Sequence, residues 1–274
     1  MFKKIKEKYI TVSVVSLLLI GVSLLLYPTV SNLWNTFHQS EIVAGYIKDI
    51  EDTDSQKKQE MLAAVQDYNQ ILPTGITPDL NLSSSEEETY NQLLDVTGTG
   101  IMGYVKIPKL NITLPIYHGT DEAVLQIALG HIPGTSLPVG GKGAHAVISG
   151  HRGLASSKLL TNLDRLVEGD TFSIQVLDDT LTYEVDQIVT VTPDDISELA
   201  IDPEQDYVTL VTCTPYGVNT HRLLVRGHRI SNDETIEQST TEVGAYSKLW
   251  LVLIISGVLI LLLIIFIVYR KSHQ

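Results

Sequence analysis

Asp206-Tyr-Val-Thr-Leu-Val-Thr-Cys213 is followed by Thr214-Pro-Tyr-Gly217 and then by His221-Arg-Leu-Leu-Val-Arg226. The first run is dense in β-branched and apolar residues and reads as a strand. Pro and Gly mark a turn, and the second run reads as another strand. Strand alternation puts Val211 and Cys213 on one face. With the two strands as neighbours, the 214–221 loop returns Arg222 close to Cys213. The same texture recurs upstream from Ile101 in GYVKIP, NITLPIY, AHAVIS, TFSIQV and TYEVDQIVTV, each bounded by Gly, Pro or Asp turns. Short strands at this frequency point to a mainly β protein built as a closed or nearly closed barrel. Ala123–Leu129 and Ser157–Asp164 are short helix candidates between strands.

Outside this region the texture differs. Residues 46–72 carry Met61, Leu62, Val65, Tyr68, Ile71 and Leu72 at three- and four-residue spacing, the apolar face of a helix. Pro73, Gly75 and Pro78 end it, and Pro73–Ser85 reads as a loop. Ser85 and Glu88 have the spacing of a capping box for a second helix through Leu94. Residues 231–248 are rich in Ser, Thr, Glu, Asp and Asn and read as a polar tether.

Two stretches are long and apolar enough to cross a bilayer. Tyr9–Tyr27 has no charged residue and follows Lys3, Lys4, Lys6 and Lys8. Nineteen residues at about 1.5 Å each reach across a hydrocarbon core of roughly 30 Å. No small-residue cleavage pattern follows, which favours a retained anchor over a cleaved signal. Leu249–Val268 is also uncharged, with Trp250 and Tyr269 at interface positions and Arg270-Lys271 beyond. Basic flanks stay on the cytoplasmic side, so both termini are expected inside and the intervening segment outside. The expected organisation is a basic tail (1–8), a span (9–27), a helical region (28–100), the barrel (101–230), the linker (231–248), a second span (249–269) and a short tail (270–274).

Charge excludes one large class of partners. The chain has a net charge of −13, the two basic ends contribute +3 and +2, and the remainder therefore carries −18. A segment that acidic is unsuited to nucleic acid, which binds basic surfaces. Cys213 is the sole cysteine in the sequence, so an internal disulfide and a cysteine-rich zinc site are both impossible.

Three residues at strand ends can carry chemistry. Cys213 closes one strand. Arg222 opens the next and can stabilise a thiolate or an oxyanion. His151, in Ala144-His-Ala-Val-Ile-Ser-Gly-His151-Arg-Gly, ends another apolar strand before a glycine turn and can act as general acid and base. A thiol, an imidazole and a guanidinium at one rim suit acyl transfer. His131, His145 and His221 compete with His151 for that role, since the sequence has eight histidines.

TLVTCTPYGVNTHRLLVRGHR (209–229) resembles the catalytic signature of sortases, Thr-Leu-x-Thr-Cys with an Arg nine residues after the Cys. HIPGTSLPVGGKGAHAVISGHRGL (131–154) resembles the histidine region of class C, the pilus-assembling sortases. GYVKIPKLNITLPIYHG and LDRLVEGD are similar to the family's first strands and a connecting segment. The resemblance covers about residues 100–230. It implies the eight-stranded sortase barrel, with Cys213 as nucleophile, His151 as general acid and base, and Arg222 as the oxyanion or substrate-orienting group. It implies cleavage of an LPxTG-like sorting signal between Thr and Gly through a thioacyl enzyme, resolved by a pilin lysine or a peptidoglycan precursor. No metal or cofactor is implied. The implied setting is the plasma membrane of a Gram-positive bacterium, with pilin subunits as partners. Two spans fit class C better than class A, which usually has one.

Class C members commonly carry an N-terminal lid whose Asp-Pro-aromatic motif covers the cysteine. Residues 73–85 occupy the corresponding region, but Pro78-Asp79-Leu80 has a different order and no aromatic. The expectation is a weakly docked loop that leaves Cys213 accessible.

Overall fold

A computed structural model describes residues 2–232 and, beyond them, Gly257, Val258 and Tyr269. The polar linker and the expected second span lie outside the described residues, apart from those few positions. By contacts the chain divides into two units, one of Met1–Leu33 with Thr235–Gln274 and the other of Trp34–Glu234.

The described residues of the first unit up to Leu33 belong to α1, which spans Phe2–Asp52 and carries Pro28 inside it. The expected boundary at Tyr27 is therefore not a helix end. A proline removes one backbone donor and crowds the preceding turn, and here the helix runs through it. From Ser16 onward this helix is long and apolar enough to cross a membrane, and its apolar stretch is unburied.

The second unit is the barrel with its helical surround. Eight strands close it: β1 (Ile101–Ile107), β2 (Ile112–His118), β3 (Leu129–His131), β4 (Ala144–Ser149), β5 (Thr171–Val176), β6 (Asp179–Val191), β7 (Asp206–Thr214) and β8 (His221–Ile230). Their order around the barrel is β1-β2-β3-β4-β7-β8-β6-β5. The β2–β3 and β4–β7 pairs are parallel, and the other pairs are antiparallel. Alternation fills the interior. Leu114, Ile116, Ala146, Ile148, Phe172, Ile174, Val208, Leu210, Leu223 and Val225 all join one buried cluster. Two-residue periodicity then sends Val147, Val211, Cys213, Arg222 and Leu224 to the outer face.

That outer face is partly roofed. Val147, Val211 and Leu224 are buried beneath Leu199 and Ile196 of the β6–β7 connection, with Ile132 beside them. His145 clamps this connection: its Nδ1 lies 3.0 Å from the Ala200 carbonyl and its Nε2 2.7 Å from the Thr209 hydroxyl.

The helices depart from expectation in detail. The expected helix over 46–72 is interrupted at Thr53-Asp54. Asp54 caps a separate helix, α2 (Ser55–Ile71), by accepting from the Gln56 N–H at 2.8 Å. Val65 is buried and Leu62 and Tyr68 pack on the core, but Ile71 is exposed. Asn69 pairs with the backbone of Leu137 in both directions. The capping box of α3 (Ser84–Gln92) is Ser83 with Glu86, two residues ahead of the expected pair. Ser83, Ser84 and Ser85 each have a Glu three residues on, so the motif alone allows three registers. The observed one buries Tyr90, whose hydroxyl hydrogen-bonds Nδ1 of His131 at 3.0 Å. The helix expected over 123–129 is only α4 (Glu122–Leu125), and the last of those residues begins β3. Residues 157–164 form turns with a short 3-10 segment at Leu163–Arg165.

The 73–83 loop docks away from the cysteine. The Gly75 N–H donates to the Ile201 carbonyl at 2.8 Å, and Pro78 is buried. The Asp79 carbonyl lies so close to Gly134 that any Cβ there would collide with it. Gly134 also has φ +85°, so a glycine is required on both counts. Ile201 follows the residue that His145 clamps, four strand positions or more from the end of β7 where Cys213 lies.

Candidate active site

Cys213, His151 and Arg222 come together at one rim of the barrel. Cys213 and Arg222 are directly opposite in the antiparallel β7–β8 pair. Such partners have Cβ atoms about 4.5–5.5 Å apart on the same face. On the other side of β7, the parallel β4–β7 ladder pairs Ser149 with Val211. It is extended by the Gly150 N–H donating to the Val211 carbonyl at 3.0 Å and by the Thr212 hydroxyl donating to Gly150 at 2.7 Å. His151 follows Gly150 directly, so it leaves β4 at the same end of the barrel at which β7 carries Cys213 and β8 carries Arg222.

Each group is disposed for chemistry. Cys213 is partly exposed and in no disulfide. His151 has a side chain 27% exposed, with Nε2 3.7 Å from the Glu122 carboxylate. That nitrogen is itself shielded from solvent and has no hydrogen-bond partner among the described residues. The guanidinium of Arg222 is tied to its own turn, Nη1 donating to the carbonyls of His221 at 3.2 Å and Asn219 at 3.4 Å. These bonds hold the guanidinium against the turn that joins β7 to β8. A thiol so placed can attack a carbonyl, with the arginine stabilising the oxyanion and the imidazole moving the proton.

The competing histidines have other work. His131 is fully buried between Tyr90 and the Ser136 carbonyl, which lies 2.8 Å from its Nε2. Burial pushes its pKa down to about 4. His145 is buried in the roofed part of the outer face, and burial pushes it to about 4 as well. His221 pairs with Thr214 in the ladder and so faces away from Cys213. His151 alone of these four is neither buried nor on the opposite face of the ladder.

α1 supports the loops around His151. Asn35 donates to the Ser156 carbonyl at 2.8 Å, and Gln39 to the Ile127 carbonyl at 2.7 Å. Three polar neighbours of the site escaped the sequence reading: Arg152, Asp164 and Tyr216. The signal was present for Arg152, a charged residue inside an apolar, glycine-bounded run beside the chosen histidine.

Comparisons with known proteins identify the family and the fold. The family profile described as Sortase domain matches residues 105–230. Sortase C1 from Streptococcus agalactiae is 48% identical, with a TM-score of 0.68, over 70% of this chain and 100% of that one. A Streptococcus pneumoniae sortase C, whose crystal structure concerns catalysis and pilin substrate specificity, is 41% identical with a TM-score of 0.64, over 70% and 97%. Sortase D from Bacillus subtilis is 30% identical over 132 residues, 47% of this chain and 64% of that protein. The matched stretch thus spans a little under two thirds of that curated relative's length. A closed eight-stranded barrel bearing a rim cysteine is the architecture of the sortases, which are cysteine transpeptidases. The chain belongs to the sortase family, and its structural neighbours are pilin sortases of class C.

Proposed function

We propose that this chain is a membrane-anchored sortase that joins pilin subunits. The observation that carries the reading is that Cys213 lies directly opposite Arg222 in the β7–β8 pair, while His151 follows the end of β4, the other neighbour of β7. The Cys213 thiolate attacks the Thr carbonyl of an LPxTG-like sorting signal, and the oxyanion forms beside Arg222. Collapse breaks the Thr–Gly bond as protonated His151 gives its proton to the departing glycine amine. The resulting thioester is attacked by a lysine amine of another pilin. His151 takes up the amine proton, an isopeptide bond forms and the thiolate is released. Likeness to solved sortase C structures over nearly their whole lengths supports polymerisation over wall anchoring.

The unburied apolar helix α1 supports membrane anchoring. The basic ends place both termini in the cytoplasm and the barrel outside, so a reporter fused after Gln274 should work only as a cytoplasmic one. The chemistry is tested by incubating the full-length chain in detergent with a sorting-signal peptide and with candidate pilins. A mass increment on Cys213 equal to the peptide up to Thr, and covalent pilin ladders, are expected. No increment on Cys213 would defeat the reading. Increment without ladders would transfer it to anchoring on peptidoglycan.

A further inference from the structure

Arg152 follows His151 in the turn leaving β4, and its side chain is only 8% exposed. A buried guanidinium demands partners. One is Asp164, whose carboxylate lies 2.5 Å from Nη2. The others belong to the segment just past the cysteine. Nη1 reaches the hydroxyl of Thr214, the residue after Cys213, at 3.4 Å, and the guanidinium carbon lies 5.9 Å from the centre of the Tyr216 ring. Gly153 rests on the same ring, where a Cβ would come within 3.2 Å of it. Nε of Arg152 is buried without a hydrogen-bond partner among the described residues. A charged group held this way is unfavourable in isolation, which marks the position as serving its neighbours.

The ladder explains why such a tie is needed. β4 ends at Ser149, two residues short of His151, whereas β7 continues to Thr214. Regular strand pairing therefore stops before it can set the distance from imidazole to thiol. Proton transfer needs heavy atoms roughly 2.6–3.2 Å apart. Side chains must supply the remaining constraint: the Thr212 hydroxyl ties Gly150, ahead of His151, and beyond His151 the ties run from Arg152 to Thr214 and Tyr216, with Gly153 against the Tyr216 ring.

We propose that Arg152, locked by Asp164, is a positioning residue that holds the His151 turn against Thr214–Tyr216 and so sets the separation of His151 and Cys213. This rests on the reading of His151 and Cys213 given above. Lysine cannot replace it, because one ammonium lacks the planar fork that reaches Asp164 and Thr214 together.

The test compares full-length wild type, Arg152→Gln, Arg152→Lys and Asp164→Asn in detergent, using cleavage of a fluorogenic sorting-signal peptide. Active sites are counted by thiol labelling. For Arg152→Gln, kcat should fall about 10- to 100-fold, the scale of a misplacement near 1 Å, with KM changed less than about threefold. Arg152→Lys should not restore it. Asp164→Asn, at a half-exposed position, should lower kcat in the same sense by a smaller factor, and the double variant should be no worse than Arg152→Gln. The pH midpoint of Cys213 alkylation by iodoacetamide, a readout that needs no peptide, should shift in Arg152→Gln. A change in melting temperature with kcat per active site and the alkylation midpoint both unaltered would overturn the proposal. Should Arg152→Gln fail to fold, Asp164→Asn decides alone, and an unchanged kcat and midpoint there would overturn it. Wild type that forms no thioester on Cys213 would instead sink the underlying reading of the site.

Discussion

His145 and His151 leave the same strand on the same face, six residues apart, and live in different regions of the molecule. His145 lies beneath the β6–β7 connection, bonded through both ring nitrogens and held neutral by burial. His151 lies past the strand end, partly exposed, with Nε2 unbonded. Neutral imidazole is both donor and acceptor, and in the roofed region both capacities are consumed in holding a wall. Past the strand end, Nε2 of His151 has no such partner among the described residues and faces the Glu122 carboxylate at 3.7 Å. A histidine's function in this barrel follows from how far along the face it sits.

The contrast can be attacked directly. Cys213→Ala should abolish thioester formation altogether, read by mass spectrometry of the intact chain, and a residual adduct would mean another nucleophile. His151→Ala and Arg222→Ala should each cut turnover by about 10²–10⁴-fold with the barrel still folded. His145→Ala should act on stability instead. It strands the Ala200 carbonyl and the Thr209 hydroxyl, a loss of about 1–3 kcal/mol in chemical denaturation. Turnover per folded molecule should fall less than tenfold. A dead, well-folded His145→Ala beside an active His151→Ala would reverse the assignment of the two regions.

Acid provides a finer probe. His131 and His145 titrate near 6.5 when unfolded and near 4 when folded, because burial penalises the charged ring. Between those values the unfolded chain binds more protons, so stability is full above pH 6.5 and declines as pH falls toward 4. The two together should contribute a few kcal/mol to that decline. Denaturant midpoints measured from pH 7 to 4 should show it, and His145→Gln should flatten the slope. The smallest effect concerns the 73–85 loop. Deleting 74–84 should change the alkylation rate of Cys213 less than about threefold, since its contacts are with Ile201 and Gly134. A hundredfold rise with the fold intact would show that it covers the thiol.

Much of this was readable without coordinates, and the reasons are local. The runs that became β4, β7 and β8 have strong alternation and clear turn punctuation, and the cysteine, histidine and arginine stand at their ends. β3 was missed because three residues carry no period, and a helix pattern ran into it. The break at Asp54 and the register of the Ser83 cap were missed because burial of Tyr90 and Val65, a tertiary matter, chose among equivalent local signals. The docked path of the 73–83 loop was invisible for a related reason. It rests on backbone contacts at Gly75 and Asp79, which side-chain composition does not encode.

The order of the strands has a consequence for synthesis. β8 lies between β7 and β6, and it is the last strand of the barrel to be made. A nascent chain that has emerged only as far as Thr214 already contains His151 and Cys213, but its barrel is open on one side and Arg222 is missing. Closing contacts so distant in sequence is slow compared with local folding. The pairing of Cys213 with Arg222 is thus among the contacts that wait for the whole domain to be complete.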